Sequence, residues 1–160
     1  AVSHEPSDGD YRKTTLFPSS GIPAAVSAGF RYSAGYVASD TLQRGRGYWL
    51  KFNAAGRTGA SPGSFVNSVT APVQDKWNMI GSVSGYVPTS TITPGGGTTV
   101  SSPYYAYAGG YSVATSLVPG KATWVKVTNA GTLTLTATAM APKAQPTAKS
   151  VEVETTNGRA

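Results

Sequence analysis

Apolar and polar residues alternate with a period of two along much of this chain, and no segment carries a helical period of 3.6. Phe30-Arg31-Tyr32 and Tyr105-Ala106-Tyr107 alternate as half-buried strands do. Tyr48 to Phe52 and Thr123 to Val127 do so over five residues, with Trp49 and Lys51, or Trp124 and Lys126, sharing one face. Both faces of these two segments hold apolar groups, which places them inside a layered β structure. Further strands are expected at Phe65 to Thr70, around Trp77 to Gly81 and over Thr132 to Thr138, while Pro94 to Thr98 reads as a loop. Turn residues between the runs punctuate about 10 to 12 strands. The expected fold is all-β, a β-sandwich or jelly-roll-like arrangement.

The pattern also repeats. Residues 30–56 align without a gap to residues 105–131, and nine of the 27 pairs are identical. They include Tyr32/Tyr107, Tyr36/Tyr111, Leu42/Leu117, Gly45/Gly120, Trp49/Trp124 and Lys51/Lys126, all offset by 75 residues. Two duplicated halves are therefore expected. Gly35 and Gly110 are expected to supply positive φ after the first strand of each copy. Val118-Pro119-Gly120-Lys121 has the Pro and Gly spacing of a type II turn.

The repeat sets the domain organisation: an open N-terminal arm over 1–20, a duplicated β domain over 21–140, and a C-terminal segment over 141–160. In the last segment, Ala141 to Thr147 reads as an extended Pro-containing linker and Lys149 to Thr155 as an alternating strand. Leu16 and Phe17 in the first arm, and Val151 and Val153 in the last segment, are the apolar groups available for contact with neighbouring copies.

Composition narrows the chemistry. The chain holds 19 Gly and 11 Pro in 160 residues, no Cys, one His and 12% charged residues. Disulfides, zinc–thiolate centres and cysteine nucleophiles are excluded. Net charge is +6, yet five of the seven acids lie near the ends, leaving Asp40 and Asp75 in a basic body. Such a body suits an acidic polysaccharide or an anionic cell surface. The basic residues are dispersed and carry no nucleic-acid-binding signature, so nucleic acid is not an expected partner. No apolar run is long enough to span a membrane as a helix. The Ala-Val-Ser start is what a processed secreted protein would show, and the Thr-, Ser- and Gly-rich composition suits an extracellular setting.

Three short motifs carry little chemistry. Gly59-Ala60-Ser61-Pro62-Gly63 matches G-x-S-x-G, but Pro62 and the Gly-rich setting give a loop where a nucleophile elbow requires a strand and a helix, and His4 is the sole histidine. The HEPSDGD segment, with Glu5, Asp8 and Asp10, lacks the spacing of a calcium loop. Gly95 to Gly97 is not followed by the Lys-Ser/Thr of a phosphate loop. No enzymatic activity and no cofactor or metal are expected.

Trp77 to Gly81 (W-N-x-I-G), Tyr105 to Tyr111 (Y-x-Y-x-x-G-Y) and Leu117 to Lys126 (L-x-P-G-K-x-x-W-V-K) together carry a resemblance, and Asp40 to Phe52 fits the same pattern. Over residues 11–138 the chain resembles a β-rich module of large secreted proteins of Bacteroidota and Chlorobi-related bacteria associated with type IX secretion. The resemblance implies an extracellular, non-catalytic accessory module.

Two functional expectations follow. The first is a secreted structural subunit that self-assembles into a fibre or surface layer through Leu16, Phe17, Val151 and Val153, with other copies of itself as partners. The second is a carbohydrate-binding or adhesion module whose platform is Trp49, Trp124, Tyr36 and Tyr111 with Lys51 and Lys126. Exposure of the two indoles separates a ligand platform from core packing.

Overall fold

A computed structural model describes residues 2–18, 24–55 and 63–138. Its elements are β1 (His4–Pro6), α1 (Lys13–Leu16), β2 (Gly29–Tyr32), β3 (Tyr36–Ser39), β4 (Gly63–Phe65), β5 (Ser68–Val73), β6 (Lys76–Gly81) and β7 (Val87–Pro88). A single 3-10 turn, Thr89–Thr91, precedes β8 (Thr93–Gly95), β9 (Thr99–Val100), β10 (Tyr105–Tyr107), β11 (Tyr111–Val113), β12 (Ser116–Leu117), β13 (Ala122–Thr128) and β14 (Gly131–Thr136). The fold is all-β with antiparallel ladders, and the strands are shorter and more numerous than the turn spacing implied.

Two sheets enclose the main core. One runs β11-β10-β13-β6, with β9 continuing the β10 edge of β13; the other runs β5-β14-β8. Period-two alternation decides what each strand contributes. Thr123, Val125 and Val127 of β13 are buried, whereas Trp124 is half-buried and Lys126 exposed. Leu133 and Leu135 of β14 and Ala71 and Val73 of β5 meet Ile80, Val125 and Val127 in one cluster. The Val118–Lys121 turn has the expected form, with Gly120 at φ 79° and the Lys121 N–H donating to the Val118 carbonyl at 3.1 Å.

Pairing in the first half matches that in the second at the 75-residue offset. Phe30 bridges Trp49 as Tyr105 pairs Trp124; Tyr32 opposes Tyr36 as Tyr107 opposes Tyr111. Correspondence begins upstream of the aligned sequence. Ala25 bridges Phe52 as Val100 pairs Val127. The Lys51 N–H donates to the Ser27 hydroxyl, and the Lys126 N–H to that of Ser102, both at 2.9 Å.

Three expectations are corrected here. Tyr48 to Phe52 is not a continuous strand but two isolated bridges, since its second edge has no partner strand among the described residues. Positive φ falls on Ala34 (54°) and Gly109 (80°), one residue before Gly35 and Gly110, because the tight link closes around that position. Residues 2–18 are not an open arm. β1 pairs β4, Arg12 bridges Thr41, and Val2 and Leu16 are buried with Leu42 and Tyr48 in a second core cluster. Its acids pair within the chain: Glu5 Oε2 lies 2.8 Å from Arg44 Nη1, and Asp10 accepts from Arg12 at 2.6 Å. Hydrogen bonds from the Arg12 side chain and backbone N–H and from the Thr15 hydroxyl hold the Asp10 carboxyl well below the usual range.

The halves join where Gly45 to Gly47 lies along the free edge of β6. The Gly47 N–H donates to the Met79 carbonyl (2.8 Å), the Gly81 N–H donates to the Gly45 carbonyl (3.0 Å), and Arg46 bridges Ile80. A side chain at Gly47 has no room, for its Cβ would lie 2.6 Å from Met79 Cγ and 2.7 Å from Ala122 Cβ.

Candidate functional site

The outer face of the five-stranded sheet, turned away from the main core, is aromatic. Cross-strand register puts Tyr105 beside Trp124 and Tyr107 beside Tyr111, with Trp77 opposite Lys126. Directly opposed residues share a face, so these side chains form a single layer. The equivalent face of the first half carries Phe30, Tyr32, Tyr36 and Trp49 by the same register.

The two aromatic faces meet crosswise. Tyr32 of the first half packs on Trp124 of the second, ring centroids 5.0 Å apart at 70°. Tyr107 of the second half packs on Trp49 of the first at 5.3 Å and 78°. Under the 75-residue offset each contact is the image of the other, the self-complementarity of a two-fold interface. The steep angles are the edge-to-face arrangement that the ring quadrupole favours. Both indole Nε1 atoms are buried in this seam without a hydrogen-bond acceptor.

Where the faces diverge they leave an open cleft of about 710 Å³ lined by Phe30, Tyr36, Trp49, Tyr107 and Tyr111. The volume lies within the usual range for small-ligand sites, about 300–1,000 Å³. All the described lining residues are aromatic. Tyr36 and Tyr111 are 58% and 60% exposed, an unusual degree for large rings kept only for packing. Lys51 and Lys126 are exposed one pleat beyond Trp49 and Trp124 on the same strand face, and neither has an ion-pair partner among the described residues.

The residues singled out in the sequence thus divide. Tyr36, Trp49 and Tyr111 line one cleft; Trp124 packs against Tyr32 and Trp77 instead. The indoles are neither buried nor laid out as coplanar plates, and the site is a cleft of inclined rings. Leu16 does not face a neighbour, being 4% exposed in the second core cluster, and Phe17 meets Phe52 edge-on at 5.6 Å. Burial of Leu16 against Leu42 and Tyr48 removes apolar area from water within the chain itself. Val151 and Val153, and Gly59 to Pro62 of the G-x-S-x-G match, lie outside the described residues. Phe30, Tyr107, Tyr32 and Trp77 were not singled out, although the Tyr32/Tyr107 identity and the Phe30/Tyr105 similarity were signals for them.

Among the described residues no group of three or more His, Asp or Glu is placed to hold a metal ion, and no helix is long and apolar enough to cross a membrane. No family model, curated protein or solved structure matches the chain.

Proposed function

We propose that this is an extracellular, non-catalytic carbohydrate-binding protein whose cleft stacks sugar rings, with its basic body favouring an acidic polysaccharide. The observation that carries the reading is the cleft whose described lining is Phe30, Tyr36, Trp49, Tyr107 and Tyr111. A pyranose ring presents weakly positive axial C–H groups, which meet the negative face of an aromatic ring. Net charge of +6 and Lys51, which has no ion-pair partner among the described residues, add a long-range attraction for carboxylate-bearing chains. The extracellular setting rests on composition and on the resemblance to secreted modules.

The test is affinity electrophoresis and calorimetry with polygalacturonate, alginate, xylan and a soluble β-glucan. Retention by an acidic polysaccharide is expected, weakening with added salt. Trp49→Ala and Tyr111→Ala are each expected to weaken binding about tenfold or more, as loss of an aromatic anchor does. Absence of binding to all four, or indifference to Trp49→Ala, refutes the reading.

Self-assembly is a second reading, now supported by different residues. β3 and β11 end their sheets, and Val37 and Val113 on them are 39% and 64% exposed. Exposed sheet edges are templates for pairing with another chain. Sedimentation across a concentration series tests this, and a monomer at all concentrations refutes it.

A further inference from the structure

The seam has approximate two-fold symmetry, and the described cleft lies over Phe30 and Trp49 of the first half. Exchanging the halves turns its lining residues into Tyr105, Tyr111, Trp124, Tyr32 and Tyr36. At two of these five a further ring is in place. The Trp77 ring lies 6.2 Å from Tyr105 and 6.4 Å from Trp124, the counterparts of Phe30 and Trp49. The first half has no such ring: the residue 75 positions before Trp77 is Val2, buried in the second core cluster and bridged to Arg44.

We infer that Trp77 closes the twin of the open cleft, so that the chain presents one ring-stacking site instead of two. Resting on the reading of the cleft as a ring-binding site, the inference places the bound ring over Phe30 and Trp49, as the Trp77 ring lies over their counterparts. At 38% exposure Trp77 is a covering ring, separable from the main core.

Free indole is the probe, read through the indole N–H resonances of the intact protein. In the wild type, indole is expected to shift the Trp49 resonance and leave that of Trp124 in place. In Trp77→Ala both are expected to shift, with two molecules bound per chain, while Trp77→Phe restores the single site. Trp77→Val, with a strand-favouring side chain, serves where alanine loosens β6. A Trp124 resonance unmoved in both small variants, or a Trp49 resonance unmoved in the wild type, overturns the inference. Polysaccharide retention is measured on the same samples. The expected indole pattern without retention refutes the carbohydrate reading and leaves the role of Trp77 standing.

Discussion

Gly47→Ala tests whether the two halves are joined where Gly45 to Gly47 lies on β6. Besides Met79 Cγ and Ala122 Cβ, the new methyl would lie 2.9 Å from the Ile80 carbonyl oxygen. The Met79 side chain can rotate away, but the Ala122 Cβ and the Ile80 carbonyl are fixed by the paired backbones of β13 and β6. Carbon atoms rest at about 3.5–4.0 Å, so the segment must retreat by about 1 Å. Overpacking of this kind costs about 1–3 kcal/mol. Retreat also strains the Gly47-to-Met79 and Gly81-to-Gly45 hydrogen bonds, worth about 1 kcal/mol each. Alanine recovers about 0.4–1 kcal/mol by restricting the unfolded chain. The net expectation is a loss of about 2–4 kcal/mol. Gly35→Ala is the control, since its Cβ would meet nothing within 4 Å and its backbone is not left-handed. Urea unfolding followed by tryptophan fluorescence measures both. Equal midpoints for the two variants would refute the docking of this segment on β6.

Two further outcomes concern the main core. Leu135→Ala, at a position with 0% exposure, is expected to cost about 2–5 kcal/mol in urea unfolding, against about 0.5 or less for Phe65→Ala at 63% exposure. Tyr104 is 7% exposed, and burial pushes its phenol up to about 12. The folded state thus holds this proton more tightly than the unfolded chain, whose phenol titrates near 10. The contribution is complete below about pH 10 and disappears as pH rises to about 12, removing about 3 kcal/mol at most. Urea midpoints between pH 9 and 11.5 should fall for the wild type and fall less for Tyr104→Phe. An equal decline in both would remove Tyr104 as the cause.

Local features were the most legible in the sequence. Alternation separated the two faces of β13 without saying which one lies inward, and Pro119-Gly120 identified its preceding turn, because period-two geometry and positive φ are properties of a few adjacent residues. The repeat marked Trp49, Trp124, Tyr36 and Tyr111 as one set; Trp49, Tyr36 and Tyr111 share the cleft and Trp124 does not. Alternation names the face a ring lies on but not the surface that face meets. The crosswise packing of Tyr32 on Trp124, and the position of Trp77 over the second copy, depend on how two sheets dock. The N-terminal segment was misread for the same reason. Its acids and its Leu-Phe pair look unengaged in one dimension, yet Glu5 reaches Arg44 and Leu16 reaches Leu42, both about 26 to 39 residues away.

The exchange of rings across the seam also bears on how the copies have diverged. Most of the 27 aligned positions now differ, but Tyr32 and Tyr107 are still the same residue, as are Trp49 and Trp124. Each tyrosine covers the indole of the other half. A substitution at either tyrosine therefore removes a ring contact from the tryptophan of the other half. These four positions are each answerable to both halves at once, whereas a residue such as Arg31 or Ala106 answers only to its own. Interlocking of this kind makes the joint between the halves a matched set, in which neither ring of a pair can change without altering the surroundings of its partner.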